Sequence, residues 1–326
     1  VTYTVQNGDE SDDLTVKNVA LSGGELVDAY GNDANFALPV GNLANNNSFV
    51  VDAVGPSIDN ITSSTADGYY GVDDVITIQV NFSENVSMAS GTLELELETN
   101  STPDRTISVS ATNINNTNVV EFSYTVAAGE SSSDLTVNSV TESGGTLVDQ
   151  VGSGADLSLP GSNLANNKAL TIDTTYPDAV QVGQVSTTGG VITAGYWNAS
   201  NSNLNVVLNI PSDGTLVGGN AQVIAQIGAN AFVNIGSASS ISSTGAEKTI
   251  TISSNDFETD LGFSDGNVLS INADVTDRAG NTTRWTSSAT TITADQTAPT
   301  VSSITSNPDV TVLEEGNSAD ITVTFS

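Results

Sequence analysis

The chain has 326 residues, enough for about two to three domains. It carries 38 acidic against 6 basic residues, a net charge of −32, and has no histidine and no cysteine. That balance excludes nucleic acid and anionic membrane as partners, since phosphates are held by clustered Lys and Arg, and it leaves no disulfide framework, thiolate zinc site or histidine base.

Apolar residues are 37% of the chain and aromatics 5%, so each core must be small and built from Val, Ile, Leu and Ala. Thr, Ser, Val, Asn and Gly dominate, which favours strands and turns. No apolar run approaches the roughly 18 residues of a membrane-spanning helix, so this segment is not expected to insert into a bilayer.

The first element is half of a repeat. Residues 13–28 read DLTVKNVALSGGELVD, and residues 134–149 read DLTVNSVTESGGTLVD. Moving residues 3–56 forward by 121 places them on 124–177 without a gap, with 27 of 54 positions identical. The form D-x-x-x-P marks the period: Asp52 to Pro56, Asp173 to Pro177 and Asp295 to Pro299. Each follows an apolar run and precedes another, and proline there suits a stiff, non-helical connection. The pattern predicts the C-terminal part of one repeat at 1–52, complete repeats at 56–173 and 177–295, and the N-terminal part of another at 299–326. No signal peptide is visible and Val1 opens in mid-strand, so the chain is expected to be a window on a longer one.

Within 56–173 apolar residues alternate with period two. An opening strand near 57–62 is followed by Ile76, Ile78, Val80 and Phe82 on one face of VITIQVNFS. Leu93, Leu95 and Leu97 share a face of TLELELE, with Glu94, Glu96 and Glu98 in water. Ile107, Val109 and Ala111 come next, then Val120, Phe122, Tyr124 and Val126, and further strands at 135–140 and 169–173. Seven short strands in about 118 residues predict an all-β fold of tandem immunoglobulin-like, cadherin-like β-sandwich domains in a linear array. No stretch has convincing helical periodicity. The repeat at 177–295 keeps the plan in different words: LNVVLNI around 203–209, then AQVIAQIG, KTITIS, VLSINADV and TTITAD. In the last segment, residues 299–326 match 56–83 at eight of 28 positions.

The acidic residues gather where loops of successive domains should meet. On one side of a junction stand Asp9, Glu10, Asp12 and Asp13 of GDESDD with Asp52, or Glu130 and Asp134 of GESSSD with Asp173. Facing the first junction should be Glu84 in the turn SEN and Asp149; facing the second, Asp213, and Asp277 with Asn281 in DRAGN. Asp295 ends the third repeat. Such carboxylates repel one another unless a hard cation neutralises them, and calcium accepts irregular sets of six to eight oxygens. These positions are therefore candidate Ca²⁺ ligands; the competing reading is ordinary solvated turn residues.

The stretches ITSSTADGYYGVDDVITIQVNFSENV, EFSYTVAAGESSSDLTV, LANNKALTID and VTDRAGNTTRW resemble tandem immunoglobulin-like repeats of giant bacterial surface proteins. These include adhesins secreted by type I systems and a cyanobacterial surface protein needed for swimming. The resemblance implies an extracellular, frequently calcium-dependent stalk or filament. The residues offer no phosphate loop and no histidine base, so the chain is not expected to be an enzyme. Apart from the resemblance, the expected partners are neighbouring repeats or copies of the chain itself, and a cell-surface or glycan target reached through a distal module. Two other functions compete: a self-assembling surface filament or surface-layer subunit, and a carbohydrate-binding array using Tyr69, Tyr70, Tyr196, Trp197 and Trp285.

Overall fold

The computed structural model describes residues 1–285, 290–307 and 312–326. It forms two compact units, Val1–Thr174 and Thr175–Ser326, each built mainly of β-strands. The architecture is that of tandem β-sandwiches. Among the described residues no helix is long and apolar enough to cross a membrane.

The core of the first unit lies between two sheets. In one, strand Thr92–Leu97 is flanked by Val137–Ser143 and Arg105–Ser110; in the other, the long strand Val75–Met88 pairs with Ile58–Ser63 and Thr117–Thr125. Alternation decides which side chains face inward. Ile76, Ile78, Val80 and Phe82 meet Leu93, Leu95 and Leu97, with Phe122 and Tyr124 filling the space between. Each fully buried side chain of this kind contributes roughly 1.5–3 kcal/mol, so a one-residue slip would turn a whole row into water. Every strand expected in 56–173 is present. Three short ones join them: Leu147–Val148 on Val75–Met88, and Gly68–Tyr70 and Ser131–Ser132 on either side of Leu170–Asp173.

Residues 1–52 carry the same words without the same burial. Glu10–Ser11 pairs with Val51–Asp52, yet Tyr3, Val5, Val16, Val19 and Leu26 are exposed. Their counterparts Tyr124, Val126, Val137, Val140 and Leu147 are buried. Those counterparts are covered by strands Ile58–Ser63, Val75–Met88 and Thr92–Leu97, to which nothing in 1–52 corresponds.

In the second unit one sheet runs Gln181–Thr188, Asn203–Asn209, Glu247–Ser253, and the other centres on Val268–Thr276 between Asn220–Ile227 and Thr290–Asp295. A parallel pairing of Tyr196–Asn198 with Thr290–Asp295 closes its edge. The hairpin of Val301–Asn307 and Asp320–Phe325 keeps its apolar side chains in solvent.

Three short α-helices accompany the strands among the described residues. Helices Leu43–Asn46 and Leu164–Asn167 are single turns, each closed by a capping box in which Asn42 or Asn163 exchanges hydrogen bonds with Asn45 or Asn166. Ser254–Leu261 is a two-turn helix, capped by Ser253 at its start and by Gly262 in the left-handed region at its end. All three are stabilised by caps rather than by an apolar stripe, so periodicity does not reveal them.

Candidate metal centre

Three carboxylates converge in the first unit. Oxygens of Asp52, Glu84 and Asp149 lie within 4.8 Å of one another, and among the described residues no other set of three or more Asp or Glu comes so close. Their positions follow from strand pairing. Asp52 ends Val51–Asp52, opposite Glu10. Glu84, expected in a turn, lies within the unbroken strand Val75–Met88, where its register against Thr117–Thr125 shifts between Asn81 and Val86. That shift turns the SEN segment out of the core. Asp149 directly follows Leu147–Val148, which pairs with Ser87 and Met88 of the same strand.

The connection between Asp52 and Pro56 packs against the Asp149 loop. Asp156 N–H donates to the Pro56 carbonyl, and Ser57 N–H to Ser83 Oγ. A Cβ on Gly55 would stand 2.0 Å from the Gly154 carbonyl, so only glycine permits this approach.

Asp149 is 4% exposed. Its Oδ1 accepts three backbone N–H bonds, from Val151, Gly152 and Ser153, at 2.6–2.8 Å. Its Oδ2 is buried and has no hydrogen-bond partner. An orphaned carboxylate oxygen is costly unless something positive meets it. Two unit charges at this separation repel by about 3–4 kcal/mol at an effective dielectric of 20. Burial, then the charges of Asp52, Asp149 and Glu10, push the Glu84 carboxyl above its ordinary range. The site is oxygen-only, which fits a hard cation such as calcium and not a metal that prefers nitrogen or sulfur. Glu10 and Asp12 line the adjoining cleft of about 350 Å³ together with Asp52, Ser83 and Glu84.

The other candidate ligands are held differently. Asp9 accepts from the Tyr3 hydroxyl at 2.6 Å and from Gln6 N–H at 2.8 Å, which keep its carboxyl below the usual range. Glu130 repeats this one period later, buried and bonded to the Tyr124 hydroxyl and Ala127 N–H, with Arg105 at 3.9 Å. Both carboxylates fasten their own loops. Asp13 and Asp134 are exposed. Asp173 pairs with Ser131, the position that Glu10 occupies in the preceding repeat. Asp213 caps the turn Gly214–Leu216. Burial acts against its ionisation, but bonds from Thr215 and from Asp178 N–H hold its carboxyl below the ordinary range. Asp277 is buried and accepts from Ala279 N–H, Asn281 N–H and the Asn281 amide. Asp295 is exposed at the end of its strand.

The aromatic residues fall in both units, Tyr69 and Tyr70 in the first and Tyr196, Trp197 and Trp285 in the second. Trp197 is fully buried, edge-on to Phe257 at 4.8 Å, with its indole N–H donated to Glu258. It is a core residue. Tyr69 and Tyr196 are partly exposed.

No protein-family model matches the chain, and no curated protein does. Among solved structures it is similar to the FN1–FN3 domains of chicken CNTN1, at 12% identity and a TM-score of 0.35, covering 83% of this chain and 76% of that one. It is also similar to a marsupial T cell receptor, at 10% identity and a TM-score of 0.34, covering 77% and 78%. At these scores the likeness adds nothing to the fold that the strands themselves define.

Proposed function

We propose that the chain is part of an extracellular array of immunoglobulin-like repeats with a mechanical role, and that calcium stiffens the connection between 52 and 56. The observation that carries this reading is the buried, partnerless Oδ2 of Asp149 beside Asp52 and Glu84. Asp52 lies before the connection, whereas Glu84 and Asp149 lie after it. A cation taking oxygens from both sides ties the preceding segment to the following sandwich and removes the freedom of a five-residue hinge. Each further repeat would add the length of its strands, at ~3.3 Å per residue, to the reach of the array. Sites in extracellular modules bind calcium with Kd about 10⁻⁴–10⁻³ M, which suits three carboxylates and a solvated rim.

A stalk that only needs length and stiffness uses surface charge for solubility, in keeping with the net charge of −32. Of the aromatic residues named for the carbohydrate-binding alternative, Trp197 has no exposed face. Calorimetric titration of calcium into the chelator-treated chain tests the proposal. Saturable binding should accompany a rise in melting temperature, and Asp52→Ala should abolish both. No heat and no change in melting would refute the calcium reading.

A further inference from the structure

We infer that residue 153 decides whether the Asp149 loop is open to a cation, an inference that rests on the calcium reading above. The same loop occurs three times. In each, an aspartate accepts backbone N–H bonds on Oδ1 from the residue four places on and from a residue between: Asp28 from Tyr30 and Asn32, Asp149 from Val151, Gly152 and Ser153, Asp277 from Ala279 and Asn281. The loops differ in the side chain four places on. Asn32 donates its amide to Asp28 Oδ2 at 2.8 Å, and Asn281 donates its amide to Asp277 Oδ2 at 3.0 Å. The middle loop has Ser153 instead, and Asp149 Oδ2 is left buried without a donor.

Asparagine at this position closes the loop on itself. Its amide places a partial positive charge on Oδ2 and meets the oxygen's need for a donor, so that a cation would have to displace it. Serine is one atom shorter in reach and leaves Oδ2 without a donor, on a carboxylate that stands with those of Asp52 and Glu84. The loops read DAYGN, DQVGS and DRAGN, sharing the aspartate and the glycine, and the side chain four places on is the one that reaches Oδ2 in the first and third. The serine makes the Asp149 loop a cation-accepting version of a self-capped structural turn, and this names Ser153 as a positioning residue that is not itself a ligand.

The test uses the full chain with calcium alone as the probe, in four forms: wild type, Asp52→Ala, Ser153→Ala and Ser153→Asn. Ser153→Ala should bind as wild type does, because Oδ2 stays open. Ser153→Asn should lose at least tenfold in calcium affinity, and in chelator it should melt at or above the wild-type temperature as the new amide caps Oδ2. Ser153→Asn that binds like wild type, while Asp52→Ala does not, would overturn the role of residue 153 and leave the calcium site standing. Ser153→Asn that melts below wild type in chelator would also overturn it, since the amide would then not be accepted. A wild type that binds no calcium would remove the site itself, and this inference with it.

Discussion

Glu84 is the residue at which the three carboxylates are most out of balance. Its carboxyl is held above the ordinary value of 4.5 by burial and by Asp52, Asp149 and Glu10, so the calcium-free fold binds this proton more readily than the unfolded chain does. The resulting stability is fully present below 4.5 and is lost as pH rises through the higher folded value. Asp9, Asp28 and Asp213 act oppositely, because their lowered values cost stability only as pH falls below 3.8. The two windows do not overlap. In chelator, the first unit should therefore melt higher at mildly acidic pH than at neutral pH. Glu84→Gln should raise the neutral melting temperature and flatten that dependence, measured by thermal denaturation across pH 4.5–7.5. An unchanged pH profile would place the unfavourable charge elsewhere. The sequence located these carboxylates by repeat position and by the D-x-x-x-P landmark, but it did not separate Asp9 and Glu130, which fasten loops, from Asp52, Glu84 and Asp149, which converge. That separation depends on Tyr3 and Tyr124 lying within hydrogen-bond reach, a fact of the folded turn. The Asn32-to-Ser153 difference was visible in the aligned repeats, yet its meaning needed the orphaned oxygen.

At the scale of elements, period-two alternation located the sandwich strands because each has one wet and one dry face. It missed whatever is shorter than its own wavelength or closed by caps. Helix Ser254–Leu261 offers only Phe257 and Leu261 at helical spacing, one of them fully buried, and its ends are set by Ser253 and by Gly262 at φ +61°. The helix holds Phe257 against Trp197 and Phe263, so it covers one end of the second core. Its stability rests on its ends. Ser253→Ala should cost about 1 kcal/mol through the lost cap to Asp256 N–H, and Gly262→Ala should cost roughly 1 kcal/mol or more through left-handed strain. Chemical denaturation should register both losses in the second unit's transition, with Ser253→Thr retaining most of the wild-type value. If both substitutions prove neutral, the helix is held by Phe257 packing alone.

At the scale of the whole molecule, the two cores are made of separate residues. One gathers Ile76, Phe122, Tyr124 and their neighbours, the other Trp197, Phe257, Leu269 and theirs, and among the described residues each core draws its side chains from one unit. Large-to-small replacement of a fully buried aromatic costs about 3–5 kcal/mol, and the loss should stay within the unit whose core contains it. Phe122→Ala should therefore reduce hydrogen-exchange protection in Val75–Met88 and Thr117–Thr125 while leaving Asn203–Asn209 and Val268–Thr276 as they were. Trp197→Ala should do the reverse. Calcium provides a third perturbation with its own address, because Asp52, Glu84 and Asp149 all belong to Val1–Thr174. Adding it should raise protection in the first pair of strands and around Val51–Asp52, and it should partly offset Phe122→Ala without rescuing Trp197→Ala, since ligand binding stabilises only the unit that binds. Exchange rates that rose or fell together in both units under any of the three perturbations would mean that the repeats unfold as one cooperative body. An array whose repeats fail separately under load would then be the wrong description of this chain.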